Sequence, residues 1–391
     1  MPLIINLENF QFPETSEIIS WIQDRPQESK THAFSIMNEI KPSDLYLYLY
    51  AKFGPPNGIQ NLLRNDDSDN LFHWDWTFKH ENGLLTFIGM NQRTELTFIG
   101  NWNFEQIDKD QVIRSIRDDF KQNGSRMSEL RKTILENWET FVNPYYSLNS
   151  SISSMEKELK ELNVKPEQDK FSNAVSAIDM KRVSEQIKEL SSRYTRAYGL
   201  AKSLQALTPV LAESFLNILM LLLLKKEIKD NERIKESVIR ANIDVKVQSL
   251  SIYCSGFSKP VDWKSDACKN YNKVINKRND ILHGNVNISK LKTSEIFFNG
   301  RVPVFKKYST MWEQLFERKL EASGFNEIRE DLKSVREFIS YVLSCLDKNA
   351  RVNLEAFMNT GELGRNLDDG RLGVLLPDHI PDLMPQLILS G

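Results

Sequence analysis

The chain is 391 residues long, 40% hydrophobic and 27% charged, a make-up that excludes a disordered polymer and suffices for two or three domains with buried cores. Its three cysteines, Cys254, Cys268 and Cys345, have no C-x-x-C spacing, which excludes a disulfide framework and points to a reducing compartment such as the cytoplasm. The net charge of −2 selects no partner by itself, but residues 225–308 hold 18 Lys/Arg against 9 Asp/Glu, leaving 33 against 44 elsewhere.

In chain order, the opening MPLIINLENFQF lacks a basic n-region and a small-residue cleavage site, so it does not have the form of a signal peptide. Residues 45–50 alternate Leu and Tyr like a strand, yet the preceding Pro42-Ser43-Asp44 is a helix start, and a helix is the preferred assignment. The breaker run Phe53-Gly54-Pro55-Pro56-Asn57-Gly58 follows, then a short helix and an acidic loop at 65–70. Residues 71–103 contain three β-branched and aromatic runs separated by turn-type clusters at 80–83 and 91–93, which predicts a three-stranded meander. The pentapeptide Leu-Thr-Phe-Ile-Gly occurs at 85–89 and again at 96–100, as two similar neighbouring strands would give.

From Asp108 almost to residue 348 the pattern is helical, with breakers at Gly124, Asn143-Pro144, Pro166 and 256–260. The charged, lightly apolar segment 150–169 is the candidate linker between an N-terminal unit (1–149) and a helical domain (170–348). Residues 204–224 are the most apolar, but Gln205, Thr208, Pro209, Glu213 and Asn217 interrupt them, so a buried helix is expected and no membrane span. Leu332, Val335, Ile339, Val342 and Leu346 form a buried stripe on the last long helix. The tail, 349–391, is too rich in Gly and Pro for a long helix and too apolar to be fully solvated. The expected fold class is α+β, mostly α: an N-terminal mixed α/β unit with a small antiparallel sheet, followed by a helical bundle.

The stretch that carries chemistry is Lys277-Arg278-Asn279-Asp280-Ile281-Leu282-His283-Gly284. It closes a helix beginning near Asp266 whose apolar face is Tyr271, Val274, Ile275, Ile281 and Leu282, with Gly284 free to take the left-handed C′ conformation. Histidine moves protons near neutrality, and arginine offers a permanently charged planar fork to phosphate oxygens. Asn279 is one helical turn before His283 and shares its face, where a hydrogen bond would orient the ring. Positions five apart on a helix point roughly 140° away from each other, so Arg278 and His283 of one chain diverge. Arg278 also falls on the apolar side and needs a partner or an interface.

This motif resembles that of the HEPN superfamily: an arginine, a following polar residue that is often asparagine, and a histidine four to six residues after the arginine. An apolar helix at 211–224, a basic insertion and a closing amphipathic helix at 326–348 add to the resemblance, which covers roughly the C-terminal 150 residues. It implies a helical bundle and a metal-independent endoribonuclease, with no cofactor, that leaves a 2′,3′-cyclic phosphate and a 5′-hydroxyl. In this chain Arg278 would stabilise the phosphate, and His283 would act as general acid and base with Asn279 beside it. Lys273, Lys277, Lys290 and Lys292 are the candidate RNA-contacting cations. The family's habits further imply a homodimer in which two motifs line one cleft, a role as toxin or antiviral effector, and an antitoxin or trigger partner at the N-terminal unit.

Two other assignments compete: a non-catalytic RNA- or protein-binding module in which His283 caps a helix and Arg278 makes a core ion pair, and a helical assembly platform. His73, Asp75 and His80 invite a metal reading, but the flanking Trp74 and Trp76 favour a packed strand. Asp66-Asp67-Ser68-Asp69 lacks the glycine and glutamate of a calcium loop. Glu213 and Asn217 share a helix face and are candidates to approach the motif. No P-loop, dinucleotide fingerprint, H-E-x-x-H or nucleophile elbow is present.

Overall fold

The computed structural model describes residues 7–24, 29–59, 72–171, 176–284 and 295–376. The chain divides into two compact units, one formed by Met1–Thr140 with Gly364–Gly391 and one by Phe141–Leu363. The fold is α+β and mostly α.

The first unit is built on a four-stranded antiparallel sheet in the order β1-β4-β3-β2, with β1 Lys30–Ile36, β2 Trp74–His80, β3 Gly83–Gly89 and β4 Thr94–Gly100. The expected meander is β2-β3-β4; β1 adds an outer strand that its mixed composition, Lys-Thr-His-Ala-Phe-Ser-Ile, does not announce. The repeated pentapeptide pairs with itself: Leu85 faces Phe98, Thr86 faces Thr97 and Phe87 faces Leu96. Alternation then places Trp76, Phe78, Leu85, Phe87, Leu96 and Phe98 in one core. Helices α2 (Pro42–Phe53) and α3 (Lys109–Thr133) cover that core with Leu45, Leu49, Val112, Ile113 and Ile116. Each fully buried large side chain contributes about 1.5–3 kcal/mol of apolar transfer. The 45–50 run is helical as expected, with Pro42 at the first turn.

The free edge of β2 is covered by other parts of the same unit. Gln11 and Lys79 exchange two backbone hydrogen bonds of 2.9 Å. The Asn57 side chain accepts from Thr77 N–H (2.9 Å) and donates to Thr77 C=O (2.9 Å) and Pro13 C=O (2.7 Å), and Gly58 N–H donates to Asp75 C=O at 3.1 Å. Helix α1 (Thr15–Gln23) is tied to the same loop by the Thr15 hydroxyl, which donates to Asn57 C=O. The short helix expected near residue 60 and the acidic loop at 65–70 lie outside the described residues.

Three expectations about organisation are corrected. The segment 150–169 is no linker: Pro144–Glu161 is one helix, α4, with Ile152 completely buried and an Arg196–Glu158 ion pair of 2.5 Å to the next long helix. Its start is set by Asn143, which is itself buried; the side-chain oxygen accepts from Tyr145 N–H and the amide donates to Phe357 C=O (2.7 Å) and Thr360 C=O (2.9 Å). The N-terminal unit therefore ends near residue 140 rather than 149. The tail is also less irregular than its composition suggests. Asp347 caps a further helix, Lys348–Met358, and Glu362–Asn366 (β8) joins β5 (Trp138–Val142) and β9 (Leu372–Gly373) in a three-stranded sheet.

The second unit is organised by α5 (Ala177–Leu223), a 47-residue helix that absorbs the expected 211–224 helix and tolerates Pro209. It is long and apolar enough to cross a membrane, yet half of its most apolar window is buried inside the protein. Leu204, Leu211, Phe215, Leu216 and Leu219 lie in the core. Against α5 pack α4, α8 (Asp266–Leu282), α9 (Ile328–Ser344) and the helix Lys348–Met358, and all five residues of the expected stripe are buried, Leu346 just past the end of α9. Two shorter helices, α6 (Glu232–Ile239) and α7 (Ile243–Tyr253), precede α8, and Lys246 of α7 reaches Asn217 of α5. Between α8 and α9 the helical expectation fails: Ile296–Asn299 (β6) and Val302–Phe305 (β7) form a two-stranded hairpin.

Candidate functional site

Helix α8 carries the motif as the sequence indicates. Ser265 caps its start by accepting from Cys268 N–H, and Cys268, Tyr271, Val274 and Ile275 are buried. Tyr271 stacks on Phe338 of α9 (centroids 4.2 Å apart, planes at 22°) and donates its hydroxyl to Pro209 C=O of α5, which fixes the helix about its long axis. Burial, together with the nearby Glu213 charge, pushes the Tyr271 phenol far up, so it stays protonated. Gly284 has φ +60 and ends the helix in the left-handed conformation.

Arg278 points toward α5, where its guanidinium forms an ion pair with Glu213. The side chains are 18% and 33% exposed, and the Arg278 Nε is buried with no hydrogen-bond partner among the described residues. One turn further along α5, Asn217 accepts from the Lys246 ammonium of α7 at 3.4 Å. Burial depresses the Lys246 pKa, and the Glu213 charge offsets part of that effect. Three helices thus bring Glu213, Asn217, Lys246 and Arg278 into one half-open cluster with two cations to one carboxylate. The approach of Glu213 and Asn217 to the motif follows from their shared helix face; Lys246 was not anticipated, and its one sequence signal is a lysine among Val245, Val247 and Leu250.

His283 lies in the terminal turn, exposed, with its backbone N–H donating to Asn279 C=O at 3.0 Å. No side-chain hydrogen bond joins Asn279 to His283 or Arg278 to His283 among the described residues. The expected orientation of the ring by Asn279 is therefore corrected: the contact between them is the backbone bond that closes the helix. Leu282 is corrected as well; it is 56% exposed, while Ile281 is half-buried.

The candidate cations divide. Lys273 is exposed and donates to Asn270 on its own helix at 3.2 Å. Lys277 is committed elsewhere: it pairs with Glu327 (2.5 Å) and Asp331 (2.8 Å) of the neighbouring α9 segment. Burial opposes its charge, and the two carboxylates outweigh that effect and raise its pKa. Asp331, almost wholly buried, is raised by its own desolvation in spite of the lysine. A lysine held by two carboxylates carries no net positive field to a phosphate, so Lys277 leaves the RNA-facing set. Lys290 and Lys292 lie outside the described residues.

On the three helices that carry the cluster, Leu221 on α5, Val245 and Ile252 on α7 and Leu282 on α8 are exposed apolar side chains. In the other unit, His73 contacts Asn91, and among the described residues no group of three His, Cys, Asp or Glu side chains could hold a metal ion. No protein-family model matches the chain, and comparisons with curated proteins and with solved structures return no match.

Proposed function

We propose that the protein is an endoribonuclease of HEPN type whose active site is assembled from two copies of the chain. The observation that carries this reading is the half-open Arg278 on α8, its guanidinium turned to Glu213 of α5 while His283 stands exposed one turn and a half away. A single copy separates the two side chains by roughly 140° of helix rotation, and a two-fold axis near α8 would bring the imidazole of one copy to the guanidinium of the other. The exposed Leu221, Val245, Ile252 and Leu282 supply apolar surface for such an interface.

The chemistry requires no group beyond these side chains. An imidazole of His283 takes the proton of a ribose 2′-hydroxyl as its oxygen attacks the adjacent phosphorus. The P–O5′ bond breaks, an imidazolium returns a proton to the departing oxygen, and the products are a 2′,3′-cyclic phosphate and a 5′-hydroxyl. Arg278 holds the equatorial oxygens as charge builds on them. The role as a toxin or antiviral effector, with a trigger or antitoxin acting through the first unit, belongs to the same proposal.

A second reading is supported by the Glu213 ion pair. A guanidinium already neutralised within its own chain suits a non-catalytic helical module that binds RNA or protein, or a helical assembly platform. Purified protein incubated with mixed RNA in excess chelator separates them. The nuclease reading expects cyclic-phosphate ends that disappear in His283→Ala and in Arg278→Ala; equal cleavage by wild type and His283→Ala refutes it.

A further inference from the structure

Among the described residues, every residue of strands β6 and β7 is exposed. Phe297 is 59% exposed, Phe298 66% and Tyr308 83%, and Ile296, Val304 and Phe305 are open as well. The pairing register puts Phe298 and Phe305 on one face and Phe297 with Val304 on the other, so both faces of the ribbon present apolar rings to solvent. Tyr308 extends the first face, its ring 5.6 Å from that of Phe305. Arg301 at the turn and Lys306 and Lys307 at the base flank the rings; Lys306 is paired with Glu295, the one acidic residue of the segment.

From these features we infer that the hairpin is a binding ribbon for single-stranded RNA, its rings stacking on unpaired bases and Arg301 and Lys307 contacting phosphates. The inference rests on the nucleic-acid reading of α8 and names the form of RNA that site receives. Three observations favour this occupant. Cations outnumber acids three to one between residues 295 and 308, which complements a polyanion. Exposed aromatic faces next to basic side chains form the stacking platform that single strands use regardless of sequence. A bilayer would first meet the polar tip Asn299-Gly300-Arg301, and an added peptide strand would meet Pro303, which the two-residue turn aims outward from β7 without an N–H to donate. The hairpin also follows the motif helix directly in the chain, with residues 283–295 between Leu282 and Ile296.

The test uses the full chain carrying His283→Ala, so that RNA stays intact, and a fluorescein-labelled oligouridine of about 12 nucleotides, the length scale of one single-strand site. Phe298→Ala with Phe305→Ala should weaken binding by about tenfold or more, as loss of base stacking does. Arg301→Ala with Lys307→Ala should lower the slope of log affinity against log salt by about 1.4, two phosphate contacts for a single strand. Because the hairpin is exposed, the variants keep the thermal midpoint of the parent, which calorimetry checks. Unchanged affinity in both variants, or no oligouridine binding by the parent, overturns the inference. Unchanged affinity with a lower sedimentation coefficient does so too, and assigns the ribbon to contact with a second copy. Failure of the nuclease reading is distinguishable: wild type that binds oligouridine through the hairpin without cutting any RNA refutes cleavage and leaves the ribbon standing.

Discussion

The Arg278–Glu213 pair offers the sharpest test of how the motif helix is held. At contact distance and an effective dielectric near 20, two unit charges attract by about 5 kcal/mol before desolvation and ordering are subtracted. The side chains are 18% and 33% exposed, so the pair stands between an exposed bridge, worth about 0–1 kcal/mol, and a fully buried one, whose breaking costs about 3–5 kcal/mol. A cost of about 2 kcal/mol follows for Glu213→Gln, which keeps the volume and removes the charge. For a unit the size of Phe141–Leu363 this corresponds to a fall of about 4–8 °C in its melting temperature. The assay is calorimetry on wild type, Glu213→Gln, Arg278→Met and the double variant. The double variant should lose clearly less than the sum of the singles, because the second change removes a charge the first left stranded. Additivity within about 0.3–0.5 kcal/mol would show that the contact contributes nothing and that Arg278 is anchored by something else.

Other outcomes follow from single features. Asn143→Asp keeps the acceptor that caps α4 but loses both donors to Phe357 and Thr360, and it should destabilise by about 2–3 kcal/mol in urea unfolding; an Asp variant as stable as wild type would refute that role. Lys109 donates to Glu39 at 2.5 Å and is the chief cause holding that carboxyl at about 2, below its ordinary 4.5. A depressed acid contributes stability above the ordinary value and loses it as pH falls from 4.5 toward 2. Wild type should therefore lose more of its melting temperature across that window than Glu39→Gln; the carboxylate is 37% exposed, so the difference is small, and parallel curves would negate it. Cys254, pushed up to about 12 by burial, and the equally buried Cys268 and Cys345 should resist iodoacetamide at neutral pH until the protein unfolds, which mass spectrometry reads directly; rapid labelling of native protein would contradict their burial.

The sequence is legible wherever one local pattern decides the outcome. The β2-β3-β4 meander, the start of α2 at Pro42, the stripe on α9 and the end of α8 at Gly284 all rest on periodicity or on a capping residue. What escaped depends on contacts distant in sequence. Residues 150–162 look solvated because α4 buries little besides Tyr145 and Ile152, and its charges are spent on Arg196 and Arg336 across the bundle. The tail looks broken because one of the two partners of β8, β5, lies more than two hundred residues earlier. The β6–β7 hairpin looks like part of a helical run because its apolar rings face solvent, where burial does not reveal their alternation. At the motif, spacing marks Arg278 as needing a partner and Glu213 as a candidate, but the loss of Lys277 to Glu327 and Asp331 is set by how α9 docks.

Asn57 has a wider consequence. By presenting its carboxamide to Thr77 as a peptide unit would, and with Gln11 and Gly58 on either side, it fills the hydrogen-bonding row that an outermost strand otherwise offers to any passing chain. The first sheet is thereby closed to recruitment along β2. Growth of that sheet by another polypeptide, whether a regulator's tail or a misfolded neighbour, would have to begin at β1.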